Sequence, residues 1–406
     1  MGNKIGLIGF GVVGQGYYEI ATKDGKNLEP EFIAVKSREK LRPQGINFQY
    51  DLEKILEQSG IGIELISETE VAYEIAIKLL EAGKTVISAN KKLVAKHLPE
   101  LLKLERKHGG KFLYEAAVAA SIPVLSNIST QYQGDEIEVI QGILNGSSNY
   151  ILSKIQQENQ SFKEALKGAQ ENGYAEADPT FDINGSDVAS KLCILSAHAF
   201  GVHLEEKSIP CIGIDHLKAE DFLLAKLSGG KIKLIAQCSK IEGKITASIY
   251  PTVVGPNHSL SPVEYEYNAI SITSKNVGLQ NFQGKGAGGL ATGAAVYSDL
   301  AKSNSGFQYE LVKKGLKKEY AHPASSEQQF VISADSKVLD DNFPYHRKYS
   351  FEGKSYVLGS FSSNHVEKLR LKIFESDGSI LAIDKNISLD KIAQHFEFKA
   401  LEFAEE

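Results

Sequence analysis

A chain of 406 residues, 42% hydrophobic and 24% charged, has the make-up of a soluble globular protein and is too long for one ordinary core at roughly 150 residues per domain. A formal net charge of −6 gives no basic footprint for nucleic acid, and the apolar runs fall well short of the roughly 20 residues a membrane helix needs, so neither partner is expected. Cys193, Cys211 and Cys238 are odd in number and lack zinc-site spacing, which points to buried free thiols. The N-terminus lacks the pattern of a signal peptide, so a cytoplasmic location is expected.

Ile5 to Gly9 is a short apolar run, as suits a strand buried on both faces of a parallel sheet. GFGVVG follows at once, with Gly9, Gly11 and Gly14 in G-x-G-x-x-G spacing around Val12 and Val13, and then a helical segment. In that context the glycines allow a tight turn and let a dinucleotide pyrophosphate approach the helix N-terminus. Phe32 to Val35 reads as the second strand. Where an acid commonly holds the ribose 2′-hydroxyl, the chain has Lys36-Ser37-Arg38. Two cations and a hydroxyl suit a 2′-phosphate, so NADP(H) is the expected cofactor, while Glu39 keeps NAD(H) open.

The alternation continues with IGIELIS as strand, EVAYEIAIKLLEAG as helix ending at Gly83, TVISAN as strand and Leu98 to His108 as helix. A doubly wound parallel sheet follows from this order, with ligands outside the carboxyl ends of its strands. SANKK, residues 88–92, falls at such an end, where Asn90 and Lys91 would reach a cofactor or a substrate carboxylate; a solvated strand-end lysine fits the spacing as well. LYEAAVAASIPV gives a strand closed by Glu115, then Val118, Ala120 and Ile122 with carbonyls in irregular chain before Pro123. A carboxylate with several carbonyls is hard-cation chemistry, although a plain helix entry explains the same residues.

Beyond Gly134 the alternation stops. EIEVIQGILNGSSNYILSKI reads as strand, polar turn at residues 145–149, and helix. Gly173 ends a helical segment, and Pro179 keeps Asp178 out of a helix, so Glu176, Asp178 and Asp182 are placed on irregular chain. Asn184 or Ser186 then caps a helix whose apolar positions are Val188, Leu192, Leu195 and Ala199. Asp187 and Lys191 stand i,i+4 on it. Spacing alone admits either a surface ion pair worth about 0.3–0.5 kcal/mol or a sheltered pair in which burial lowers the lysine toward proton-transfer range.

GFGVVG, SANKKLVA, YEAAVAASIPV, GILNGSSNYIL, GYAEADPTFDINGSDVASKLCILSAHAFG and GKGAGGLATGAAVYSDL together resemble the homoserine dehydrogenase family, over roughly residues 1 to 300. The resemblance implies NAD(P)-dependent interconversion of L-homoserine and L-aspartate 4-semialdehyde, in the route to threonine, methionine and isoleucine. It implies an α/β fold: a Rossmann-type cofactor domain at 1–135, completed by about 283–305, and an α+β catalytic and dimerisation domain at 136–282. By the same likeness Lys191 is the proton donor and acceptor, Asp187 supports it, Glu176 and Asp182 bind substrate, and Lys91 lies near nicotinamide and substrate. Gly288 contacts the cofactor, and Glu115, Val118, Ala120 and Ile122 align with a sodium site. A homodimer or higher homo-oligomer is implied, with strands in 230–280 at its interface. The chain departs from the family at Ala120-Ser121, where Gly-Gly is usual, and at Ala291, where Pro is usual. A semialdehyde dehydrogenase with a cysteine nucleophile is disfavoured, because no cysteine stands in a strand-end loop of the first domain.

Many relatives carry a regulatory ACT domain after residue 305, with an Asp-x-Pro-Gly-type turn that this chain lacks. Residues 306–406 are expected to form a small α+β extension, with FVISAD, SYVLGSF and KLRLKIFES as strands, DGS as a hairpin turn and LDKIAQHFEF as a helix. A divergent amino-acid sensor, an oligomerisation module and a plain extension all fit that pattern.

Overall fold

The computed structural model describes residues 4–25, 27–39, 41–317, 323–343, 346–351 and 354–402. The apolar runs of the first third form β1 (Ile5–Ile8), β2 (Phe32–Ala34), β3 (Phe48–Gln49), β4 (Ile61–Glu64), β5 (Thr85–Ser88) and β6 (Lys111–Leu113). They pair in parallel in the order β3-β2-β1-β4-β5-β6. Helices α1 (Val12–Asp24), α2 (Leu52–Gln58), α3 (Thr69–Glu81) and α4 (Lys91–His108) connect them. The strand order reverses at β1, and in such sheets the ligand crevice opens there, beyond the carboxyl ends. Helix α4 starts seven residues earlier than periodicity predicts, because Asn90 caps it by accepting the Leu93 amide at 3.0 Å.

Two short helices, α5 (Ala116–Ala119) and α6 (Val124–Gln131), lead out of this sheet. Val118 therefore lies in a helical turn, and only Ala120 and Ile122 of the three carbonyl residues stand in irregular chain. The middle region consists of β7 (Ile137–Ile143), α7 (Gly146–Glu158), α8 (Phe162–Glu171), α9 (Thr180–Ile183), α10 (Ser186–Phe200), α11 (Ala219–Leu227), β8 (Lys231–Ile241), β9 (Lys244–Val254), β10 (Tyr267–Ser274) and β11 (Gly278–Lys285). Asp182 sits in the one-turn helix α9 rather than on irregular chain: Pro179 closes the turn as its cap instead of preventing one. Neither Asn184 nor Ser186 caps α10. That place is taken by Gly185 at φ +86°, and the Asn184 side chain accepts the Ser186 amide instead.

The chain then returns to the first sheet through α12 (Gly289–Asn304), followed by α13 (Glu310–Lys314). Helices α12 and α1 cross at near backbone contact. A Cβ on Gly16 would lie 2.1 Å from the Gly289 oxygen, and one on Gly293 would lie 2.4 Å from the Tyr17 nitrogen. Only glycine permits this approach.

The tail forms β12 (Glu327–Ala334), α14 (Ser336–Asn342), β13 (Arg347–Phe351), β14 (Lys354–Ser362), α15 (Ser363–Glu375), β15 (Ser379–Ile383) and α16 (Leu389–Glu402). KLRLKIFES is helix, not strand: Val366, Leu369 and Ile373 are its buried positions, at steps of three and four. DGS is accordingly a helix-to-strand turn, with Asp377 at φ +53°. Nor does the tail stand apart. Strand β15 pairs in parallel with β9 through Ala382–Thr252 and Ile383–Val253, giving one nine-stranded sheet, β11-β10-β7-β8-β9-β15-β12-β14-β13. The Ser379 hydroxyl also donates to buried Asp221 of α11 at 2.8 Å. Among the described residues no helix is long and apolar enough to cross a membrane.

Gly16→Ala forces a methyl group onto a backbone oxygen, at a cost of about 1–3 kcal/mol. A lower first unfolding midpoint in a thermal scan is expected, and an unchanged midpoint would show that the helix crossing tolerates a side chain.

Candidate active site

Asp187 and Lys191 sit on the first turns of α10, which is buried on almost every side, so the i,i+4 pair is enclosed rather than solvated: the two residues are 6% and 8% exposed. Lys191 Nζ donates to Asp187 Oδ2 and to the Leu144 carbonyl, each at 2.7 Å. The other Asp187 oxygen pairs with Lys91, which α4 presents from the facing domain. Asn145, capping α7, donates through one amide nitrogen to Asp182 Oδ1 at 2.9 Å and to Asp187 Oδ2 at 3.0 Å. One carboxylate therefore faces two ammonium groups and an amide.

Burial alone would raise the Asp187 carboxyl, yet Lys191 and Lys91 together hold it well below the usual carboxylate range. The two lysines diverge. Burial, reinforced by the positive charge of Lys91, outweighs Asp187 and lowers Lys191. For Lys91 burial also acts downward, but Asp187, with help from Asp182 and Glu176, wins and raises it. Of the two, Lys191 is the one moved toward proton exchange near neutral pH.

Asp187 lines a cleft of about 540 Å³ between the domains together with Glu176, Asp182, Lys91 and Asn90, and Lys191 stands behind it, bonded to its carboxylate. Gln170 steadies the acidic loop by donating to the Glu176 and Ala177 carbonyls at 3.1 and 3.2 Å, and Ser147 donates to the Tyr174 carbonyl. Asp178 lines the cleft but spends one oxygen on the Thr180 amide and hydroxyl, as a turn former does. At the mouth the Lys92 ammonium lies 4.2 Å from the centre of the Phe181 ring, joining the domains. His198 takes no part here. It hydrogen-bonds Tyr114 at 2.9 Å, and burial drives its imidazole down to about 3.

Beneath Lys91 lies a carboxylate that periodicity alone does not single out. Glu64 is fully buried at the end of β4, accepting the Ile66 amide and the Ser88 hydroxyl, each at 2.6 Å. Ser88 Oγ in turn accepts the Asn90 amide at 3.0 Å, and the Asn90 side chain donates to the Ile66 carbonyl at 3.0 Å. This chain of bonds fixes the loop from which Lys91 projects. The signal in the sequence was an acid inside the apolar run IGIELIS.

The glycine turn suits a dinucleotide. Gly9 adopts φ +100°, where a Cβ would also lie 2.6 Å from the Leu65 oxygen, and a Cβ on Gly14 would lie 2.5 Å from the Gly9 oxygen. Gly11 caps α1 with no side chain, and the first turn carries no acid, so its amides are left for an anion. Val12 is exposed at this turn, Val13 lines the cleft, and Gly288 at φ +109° brings α12 beside Val12. Lys36 and Arg38 stand away from the cleft. Lys36 is solvated near Glu68, and Arg38 covers the Tyr50 ring at 4.5 Å beside a shallow hollow of about 550 Å³.

The Glu115 carboxylate is already engaged within the protein. Its oxygens accept the Leu125 and Ser126 amides at 2.7 and 2.9 Å, capping α6, with Lys302 3.5 Å away. Ala120 is held at φ +45°, ψ −104°, a costly conformation for a residue with a Cβ, and Ser121 donates to the Lys285 carbonyl at 2.9 Å. The oxygen donors left for a cation are the backbone carbonyls of residues 115, 118, 120 and 122, of which those of Glu115 and Ile122 already accept the Val118 and Val124 amides. No cluster of three or more acidic, histidine or cysteine side chains fit for a metal occurs among the described residues.

Two sequence models cover most of the chain: homoserine dehydrogenase over residues 123–301, and homoserine dehydrogenase, NAD binding domain, over residues 9–115. A homoserine dehydrogenase of Lactococcus lactis is 36% identical over 339 residues, 79% of this chain and 78% of that protein. The crystal structure of a homoserine dehydrogenase from Thiobacillus denitrificans superposes with a TM-score of 0.80 at 26% identity, over 94% of this chain and 98% of that one. A hyperthermophilic archaeal homoserine dehydrogenase in complex with NADPH superposes at 0.66 and 25% identity, over 76% of this chain and 99% of that one.

Burial pushes Glu64 from its ordinary 4.5 up to about 7, against the pull of its Ser88 and Ile66 bonds. The folded state thus binds the extra proton between those values, and stability falls as pH rises through that window, by up to about 3 kcal/mol. Glu64→Gln should flatten this part of the profile, as read from denaturant unfolding at pH 4.5 and 8. A wild-type and variant difference that does not change with pH would contradict it.

Proposed function

The chain belongs to the homoserine dehydrogenase family, oxidoreductases that interconvert an alcohol and an aldehyde with a nicotinamide cofactor, and on that premise we propose that Lys191 moves the proton. The observation that carries this is Asp187 enclosed between Lys191 and Lys91 in the wall of the cleft. In oxidation of L-homoserine the neutral Lys191 amine takes the hydroxyl proton as the carbon loses its hydride, and Asp187 stabilises the ammonium that forms. In reduction of L-aspartate 4-semialdehyde the ammonium returns that proton to the developing alkoxide. Glu176 pairs with the substrate α-ammonium, Lys91 with its carboxylate, and Asp182, steadied by Asn145, completes the polar wall.

When bound, the nicotinamide supplies hydride transfer; the protein supplies the proton and the placement. Gly9, Gly11, Val12, Val13 and Gly14 hold the diphosphate, Asn90, Lys91 and Gly288 face the nicotinamide half, and Lys36 with Arg38 receive a 2′-phosphate, which makes NADP(H) the preferred form. A sodium ion would rest on the carbonyls of Glu115, Val118, Ala120 and Ile122, with no part for the Glu115 carboxylate and no step in the reaction. Residues 1–135 with 283–305 act as the cofactor unit and 136–282 as the catalytic unit. A second copy docks on strands β8 to β11, whose edge exposes Leu279. The setting is cytoplasmic synthesis of threonine, methionine and isoleucine.

Lys191→Ala should cut turnover by on the order of a thousandfold or more in an absorbance assay with NADPH and aspartate semialdehyde, while NADPH binding by fluorescence stays intact. No wild-type rate with either substrate pair would sink the proposal. Arg38→Ala should raise KM for NADPH about tenfold and leave KM for NADH unchanged, since a charge-assisted phosphate bond is worth roughly 1.5–3 kcal/mol. Equal effects on both cofactors would remove Arg38 from the 2′-phosphate.

A further inference from the structure

Asn268 is the second residue of β10, where it pairs with Gly284 one residue before the Ala269–Ile143 pair. It is 0% exposed, and neither its amide oxygen nor its amide nitrogen has a hydrogen-bond partner among the described residues. A side chain of this kind in a packed interior calls for a reason, because a leucine of similar size would fill the space without a desolvated donor and acceptor.

Its surroundings supply one. On one side lies Gly286, where a Cβ would come 2.0 Å from both Cγ and Nδ2 of Asn268. On the other lies Gly146, whose Cβ position is 3.6 Å from Asn268 Oδ1 and 2.6 Å from the Glu266 carbonyl. Gly146 directly follows Asn145, which donates to Asp187 and Asp182. Gly286 belongs to the turn that delivers Gly288 and Gly289 to Val12 at the start of α1. The amide thus lies between the backbones of the turn beside the catalytic carboxylate and the turn beside the dinucleotide site; glycine at 286 gives it that access, while at 146 the tight neighbour is the Glu266 carbonyl.

We infer that Asn268 is a positioning residue that registers the substrate turn at 145–149 against the glycine-rich turn at 284–289. Its amide packs directly on the Gly286 backbone and lies beside Gly146, so that a shift of one turn is passed to the other by contact. The inference rests on the reading of the site given above. Asn268 touches no reacting atom; it acts by holding substrate and cofactor at hydride-transfer distance, where a displacement of about 1 Å costs on the order of a hundredfold in rate.

The test compares Asn268→Ala, the isosteric Asn268→Asp, Gly286→Ala and the Gly286→Ala/Asn268→Ala double variant, in full-length enzyme. Asn268→Ala and Asn268→Asp should lower kcat on the order of tenfold to a hundredfold, with the Kd for NADPH alone within about threefold of wild type. Gly286→Ala should lower the thermal midpoint. The double variant, which removes the clash, should regain that midpoint but not the rate. Wild-type kcat in both Asn268 variants, or recovery of kcat along with the midpoint in the double variant, would overturn the inference and reduce Asn268 to a space filler. Wild-type enzyme inactive on homoserine and semialdehyde alike would instead overturn the underlying reading of the site.

Discussion

Everything at the cleft turns on one carboxylate that is taken out of water with a lysine on each side. Asp187 is affordable inside the protein only because Lys191, Lys91 and Asn145 satisfy its oxygens. The two ammonium groups cannot share it equally. Lys191, with burial on all sides, is driven down, while Lys91, closer to the acidic loop, is driven up. In the proposed mechanism the asymmetry suits two like residues to two unlike tasks, one to exchange a proton and one to keep its charge. Each partner comes from a different element: α10, the N-terminus of α4 and the cap of α7. The site exists only where the two sheets meet.

That meeting is maintained by backbone approach more than by side chains. Gly16, Gly289 and Gly293 let α12 lie on α1, bringing the chain back to the glycine turn after strands β7 to β11 of the second sheet. The bonded chain Glu64, Ser88 and Asn90 fixes the exit of β5, so Lys91 crosses the gap at a set height. The tail extends the second sheet through β15 on β9, on the side away from β11 and β10. A movement in the tail would therefore reach the catalytic sheet through main-chain hydrogen bonds.

Much of this was legible in the residues themselves. The doubly wound sheet followed from alternating apolar runs and glycine turns, because both faces of a parallel strand must be apolar. Asp187 and Lys191 were legible as a pair by spacing, but not their enclosure, since a helix buried all round is surrounded by parts of the chain remote in sequence. The likeness to known motifs carried what spacing left open. Where the reading failed, local rules had competed with capping or context: Asn90 began α4 early, Pro179 started a turn rather than stopping one, and the buried face of α15 was mistaken for a strand. Glu64 and Asn268 were missed for a common reason. A lone polar residue in an apolar strand has no period, and its partners are found only in three dimensions.

The most direct test of the central claim is the pH dependence of kcat for homoserine oxidation in wild type and Lys91→Met. If Lys191 is the base and the charge of Lys91 helps to lower it, the rate rises with pH as Lys191 loses its proton, and removal of Lys91 moves that rise to higher pH. An ascending limb that stays in place or moves to lower pH in Lys91→Met, at whatever absolute rate, would contradict the account of one carboxylate shared unequally by two lysines.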